Sequence, residues 1–159
     1  MEREGFDDWV VAAAPRLHRS AFLLVGDWAL AQDLVQHACA AVWSRWRRVD
    51  APDAYAQAVM ARTASSWWGR RWRGEVPTQV LPEGGSDPWA DVDRRDAVAR
   101  ALRALPPRQR AVVVLRFFDD FTEAQVAAAL GWPVGTVKST TARALVALRA
   151  TELAEETLR

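Results

Sequence analysis

Apolar positions in the N-terminal half recur at intervals of three and four residues, the spacing of one face of a helix. Phe6 to Val25 carries Trp9, Val10, Ala13, Leu17, Ala21 and Leu24 in this way, and Gly26-Asp27 both ends that segment and opens the next, with Asp27 as N-cap. A second segment, about Trp28 to Arg47, repeats Leu30, Leu34, Ala38, Ala41 and Val42 on one face and leaves Asp33, Gln36, His37 and Arg47 among the remaining positions. A third follows Pro52-Asp53 and runs to about Arg73. No strand-like alternation of any length interrupts them, so the expected fold class is all-α.

The C-terminal half adds a helix pair with a defined turn. Thr122 is placed to cap a helix that carries Val126, Ala127 and Leu130 on one face, and Gly131 closes it. Trp132-Pro133 and Gly135 redirect the chain, because a residue before proline avoids the α region. From Thr136 a second helix keeps Val137, Ala144, Leu145 and Leu148 inward and leaves Lys138, Ser139, Thr140 and Arg143 outward. This is the order of a helix-turn-helix, whose second helix presents its N-terminal part to base edges in a major groove. Between Val134 and Ala150 the cations Lys138, Arg143 and Arg149 meet no acidic residue, which suits an anionic partner. The bland reading of the same pattern is a helical hairpin with a solvated face.

Charge changes this picture by its distribution. The 159-residue chain has a formal net charge of only +1. Yet the interval Ser44 to Arg73 sets seven arginines against Asp50 and Asp53. Gly74 to Asp93 then holds five acidic residues, no basic one, and three prolines. That span reads as a flexible acidic linker joining two small helical domains. The lone Cys39 excludes an intramolecular disulfide, and no cluster has the spacing of a metal site, so neither a metal nor a cofactor is expected. The opening MEREGFDDW lacks the organisation of a secretion signal, and no stretch approaches the roughly 20 apolar residues of a membrane span, so a cytoplasmic protein without membrane insertion is expected. Arginine outnumbers lysine throughout, a bias that a GC-rich coding sequence explains more simply than a recognition preference does. No paired carboxylates or nucleophile constellation suggests an enzyme.

The end of the third helix interleaves cations with aromatic planes: Arg62, Trp67, Trp68, Arg70, Arg71, Trp72 and Arg73. Phosphates suit Arg62, Arg70, Arg71 and Arg73, and an unstacked base gains roughly 1 to 3 kcal/mol on an aromatic face. Trp68 and Trp72, four apart, also fit an ordinary core.

Taken with Asp33-Leu-Val-Gln36, with Leu105-Pro-Pro-Arg-Gln-Arg110 ahead of Phe121-Thr-Glu, and with Val134-Gly-Thr-Val-Lys-Ser139, the chain resembles the bacterial extracytoplasmic-function sigma factors, and within them the compact actinobacterial sigma-E-like group. The likeness runs over nearly the whole chain. It implies a region-two domain over residues 1–73, an acidic linker over 74–93 and a region-four helix-turn-helix domain over 94–159. It further implies an alternative sigma factor that binds core RNA polymerase, reads promoter −35 and −10 elements and promotes strand opening, with an anti-sigma factor as a further candidate partner. The linker would then thread basic polymerase channels, where a solubilising tether is the plainer account.

By the same resemblance Asp33, Leu34, Val35 and Gln36 grip the polymerase, with His37 where an acidic residue is common. Arg62, Thr63, Ser66 and Trp67, followed by Arg70, Arg71 and Arg73, correspond to the −10 single-strand reader, although Thr63 and Trp67 depart from a frequent asparagine and aspartate. Thr136, Lys138, Ser139, Thr140 and Arg143 correspond to the −35 reader. Thr140 replaces a frequent arginine, and Thr141 a frequent leucine that should face the core. The other readings are a helical adaptor or degenerate sigma paralogue that does not open promoters, and a simple helix-turn-helix repressor.

Overall fold

In the computed structural model, residues 3–72 and 92–157 are described, with side chains over 3–66 and 97–151. Among them the elements are all helical: α1 Phe6–Val25, α2 Trp28–Ser44, α3 Pro52–Trp72, α4 Val92–Arg103, α5 Pro107–Val113, a π turn Val114–Phe118, α6 Glu123–Leu130 and α7 Val134–Thr157. Of the expected acidic linker, residues 74–91 lie outside the described residues, and Val92 and Asp93 open α4.

The first three helices form one module. Gly26 takes the left-handed conformation at φ 71° and returns its N–H to the Phe22 carbonyl, and Asp27 then caps α2 by accepting from the Leu30 N–H at 2.9 Å. Ala13, Leu17, Ala21 and Leu24 of α1 meet Leu34, Val35, Ala38 and Val42 of α2 and Ala56, Met60, Ala61 and Ala64 of α3 in the core. The abundance of alanine lets three helices approach closely. α2 stops at Ser44, three residues short of the expected Arg47. Beyond it Phe6, Trp9, Trp43 and Trp46 gather into an aromatic cluster, with Trp9 Nε1 donating to Asp53 Oδ1 at 2.7 Å and Trp46 Nε1 to the Glu4 carbonyl at 3.1 Å.

The second module packs α5 against α7, with α6 between the π turn and α7. Val112, Val114, Leu115, Val126 and Val137 are fully buried in it. The two modules touch. α3 lies on α5 and α6, and α1 lies on α4 and the π turn.

Candidate nucleic-acid and polymerase surfaces

The helix-turn-helix is built by local chemistry. Thr122 Oγ1 accepts from the Gln125 N–H at 3.1 Å while Gln125 Oε1 accepts from the Thr122 N–H at 2.8 Å, so two orphan donors of α6 are satisfied reciprocally. Gly131 closes α6 at φ 71°. Arg108 lies over the Trp132 ring, 4.3 Å from its centre, and fixes the turn against α5. α7 begins at Val134, two residues before the expected Thr136, because the Pro133 carbonyl already accepts from the Thr136 N–H at 3.0 Å.

On α7, Lys138, Ser139 and Arg143 are exposed and Thr136 is half-buried. Thr140 departs from expectation, being only 5% exposed between Val137 and Ala144. The reason is angular: three residues along a helix fall about 60° short of a full turn, so Thr140 flanks the Val137 face instead of opposing it. Thr141 turns its hydroxyl back to the Val137 carbonyl at 2.7 Å, which satisfies its polar atom without a partner from another helix. Lys138 Nζ stands 3.9 Å from Glu123 Oε2, with the lysine side chain 64% exposed and the glutamate 35%, a loose pair that leaves the ammonium available.

On α2, Asp33, Gln36 and His37 are exposed, but Leu34 and Val35 are 7% and 5% exposed and belong to the core. The polar pair points outward and the apolar pair holds the helix in place. Between α2 and α3 lies a cleft of about 450 Å³ with an apolar floor of Val25, Leu30 and Leu34 and a polar rim of Asp33, His37, Arg62, Thr63 and Ser66. The two sets that the sequence kept apart thus share one depression. Trp67, Arg70 and Arg71 lie on the α3 backbone, but their side chains fall outside the described residues, as does Arg73 entirely.

Arg62 is engaged. Its Nη2 and Nε donate to the Ala129 carbonyl near the end of α6 at 2.6 and 3.0 Å, across the seam between modules. Two further seam residues were missed from the sequence. Arg110, 5% exposed, donates to the carbonyls of Leu24, Leu102, Arg103 and Leu105 at 2.8 to 3.2 Å, and burial together with Arg103 pulls its guanidinium down to about 10, still charged at neutral pH. The signal was present: Arg110 stands three and four residues before Val113 and Val114, in register with the apolar face. Asp119 accepts from Ser20 Oγ at 2.6 Å and from Gln57 Nε2 at 3.3 Å, and its other oxygen is buried with no hydrogen-bond partner among the described residues. Burial pushes its carboxyl up to about 6; the Ser20 hydroxyl opposes that change and Asp120 adds to it.

Among the described residues no group of three or more His, Cys, Asp or Glu is placed to hold a metal, and no helix is long and apolar enough to cross a membrane. Fold and surfaces together define a helical transcription protein with two modules, one carrying a helix-turn-helix. Residues 9–74 match the sigma-70 region 2 family and residues 95–148 the sigma-70 region 4 family. The RNA polymerase sigma-E factor of Streptomyces coelicolor is 42% identical over 148 residues, covering 91% of this chain and 84% of that protein. Among solved structures, the sigma factor RpoE in complex with the anti-sigma factor NepR from Bartonella quintana shares the fold at a TM-score of 0.70 and 23% identity, over 91% of this chain and 94% of that one. CnrH in complex with the cytosolic domain of CnrY shares it at 0.64 and 22%, over 94% and 88%. The chain belongs to the sigma-70 family and is an alternative sigma factor of the extracytoplasmic-function group, which works with core RNA polymerase and promoter DNA in transcription initiation.

Proposed function

We propose that each step of initiation falls to particular side chains of this chain. Lys138, Ser139 and Arg143 read the −35 element, with Thr136 at the entry of α7 and Thr140 supporting the helix from beneath. The observation that carries this reading is the exposed Lys138–Ser139–Arg143 face on a capped helix-turn-helix. Arginine addresses guanine through paired donors, and the hydroxyl and ammonium address bases or phosphates. Arg62, Thr63, Ser66, Trp67, Arg70, Arg71 and Arg73 take the −10 strand: cations follow its phosphates while an aromatic plane receives an extruded base. Asp33 and Gln36 meet the polymerase.

Strand opening in this scheme needs no covalent chemistry, because capture of an unstacked base offsets the few kcal/mol lost on leaving the stack. The chain accordingly acts without enzymatic activity of its own, in the cytoplasm, where its polymerase works. Residues 1–73 and 94–159 serve as the two domains, and the acidic span between them as the linker. An anti-sigma factor is a fitting further partner, since a solved structure of this fold, the sigma factor RpoE, was captured with the anti-sigma factor NepR.

The test is DNA binding measured as sequence specificity and affinity together, at several salt concentrations. Arg143→Ala loses on the order of 1 to 3 kcal/mol at the −35 element and relaxes preference at one position. A uniform loss on all duplexes reassigns Arg143 to phosphate. Arg62→Ala weakens single-stranded DNA and lowers the salt slope by about one. Unchanged binding removes Arg62 from the −10 reader.

A further inference from the structure

The cleft between α2 and α3 has two walls of unlike chemistry. α2 contributes Asp33 and His37, one helical turn apart, and α3 contributes Arg62, Thr63 and Ser66. Val25, Leu30 and Leu34 form an apolar floor between them. Among the described residues no hydrogen bond or ion pair engages the Asp33 carboxylate. Arg62 is only partly engaged. Its Nε and Nη2 donate to the Ala129 carbonyl, which leaves both Nη1 hydrogens and the second Nη2 hydrogen, one end of the guanidinium fork, free of that contact. At about 450 Å³ the cleft lies at the small end of the range of roughly 300 to 1,000 Å³ for small-molecule sites, room for one ring system and its sugar.

A carboxylate and a guanidinium above an apolar floor set conditions on a ligand. The floor suits a flat ring face. The carboxylate only accepts, so the edge beside it must donate, and two adjacent donors engage both oxygens. The guanidinium only donates, so the edge beside it must carry paired acceptors. Of the four bases guanine alone meets both conditions, with N1–H and the N2 amine on one edge and O6 and N7 on the next. Adenine turns the N1 lone pair towards the carboxylate, cytosine its N3, and thymine two carbonyls. We propose that this cleft is a guanine-binding site: the ring lies on Leu30 and Leu34, Asp33 accepts from N1–H and the N2 amine, Arg62 donates to O6 and N7, and Thr63 and Ser66 meet the sugar. The same ring chemistry serves a free guanine nucleotide and an unpaired guanine in a strand. Occupancy covers Asp33 and Arg62, so a free nucleotide competes there with polymerase and promoter strand.

The experiment is isothermal titration calorimetry on the full chain, with guanosine 5′-monophosphate as probe and adenosine 5′-monophosphate as control. The guanine nucleotide gives saturable binding, and the adenine nucleotide binds at least about tenfold more weakly, as expected for a lost bidentate contact. Asp33→Asn exchanges one acceptor for a donor. It therefore weakens the guanine nucleotide about tenfold and strengthens xanthosine 5′-monophosphate, whose ring keeps N1–H and carries an oxygen in place of the N2 amine. A structural role for Asp33 moves both nucleotides alike. Arg62→Lys, which lacks the planar fork, weakens the guanine nucleotide about tenfold as well. Circular dichroism stays helical in both variants, since both side chains are exposed. Single-stranded thymidine pentamers with a central guanine or adenine distinguish the source: preference for the guanine pentamer without binding of the mononucleotide assigns the site to a strand, and binding of the mononucleotide assigns it to a free ligand. Absence of guanine preference in both probes overturns the proposal, as does an Asp33→Asn variant that loses the guanine nucleotide without gaining the xanthine one. Mononucleotide binding needs neither polymerase nor promoter, so its failure is distinct from failure of those assignments.

Discussion

Replacing Asp119 by asparagine removes a charge from the most strained electrostatic position of the seam. The carboxyl is pushed from the ordinary 3.8 to about 6. Each tenfold gain in proton affinity corresponds to about 1.4 kcal/mol, so, after allowance for solvent at the edge of the seam, ionised Asp119 costs the packed state about 2 kcal/mol at a pH of about 7.5. Asparagine keeps a carbonyl to accept from Ser20 and Gln57, and places an amide where the buried oxygen has no partner, at a cost of about 1 kcal/mol. The net expectation is a variant about 1 kcal/mol more stable than wild type at that pH. The sign with pH follows from proton linkage: the packed state binds the proton more tightly, so the contribution of Asp119 is fully present below about pH 4 and is lost as pH rises through about 6. Charged Asp120 adjoins the group on its own segment and raises its pKa, while Ser20 from α1 and Gln57 from α3 face it as neutral donors. Urea midpoints of both proteins across this pH range give the measurement, with the difference between them isolating Asp119 from other carboxylates. A constant offset, with no change through the window, excludes a buried carboxyl at Asp119 as the source of the difference.

Two further perturbations probe other parts of the structure. Arg110→Ala orphans the carbonyls of Leu24, Leu102, Arg103 and Leu105 and lowers stability by about 3 to 5 kcal/mol in urea unfolding. Arg110→Lys restores only part of this, because an ammonium lacks the planar fork that spans the four oxygens. Thr122→Ala breaks the capping box of α6 at a cost of about 1 kcal/mol, seen as a melting temperature lower by roughly 2 to 4 °C. An unchanged melting temperature means that the cap does not hold the helix-turn-helix in place.

Whatever depended on neighbours along the chain was legible in the sequence. Gly26, Asp27, Thr122 and Gly131 begin or end helices where their backbone preferences and short side chains require, and the apolar spacing of α1 and α2 selected core faces that the structure keeps. The family motifs likewise announced both modules. Tertiary packing decided the rest, because helical periodicity gives the direction of a face and not the width of what covers it. Thr140 lies on a flank that packing buries, and Leu34 and Val35 sit inside a motif otherwise turned to solvent. Asp119 and Arg110 acquire their partners Ser20 and Leu24 from residues 99 and 86 positions away, a pairing that no local rule encodes. The engagement of Arg62 by the Ala129 carbonyl is of the same kind: the sequence supplied a free cation, and only the meeting of two modules gave it a helix end to hold.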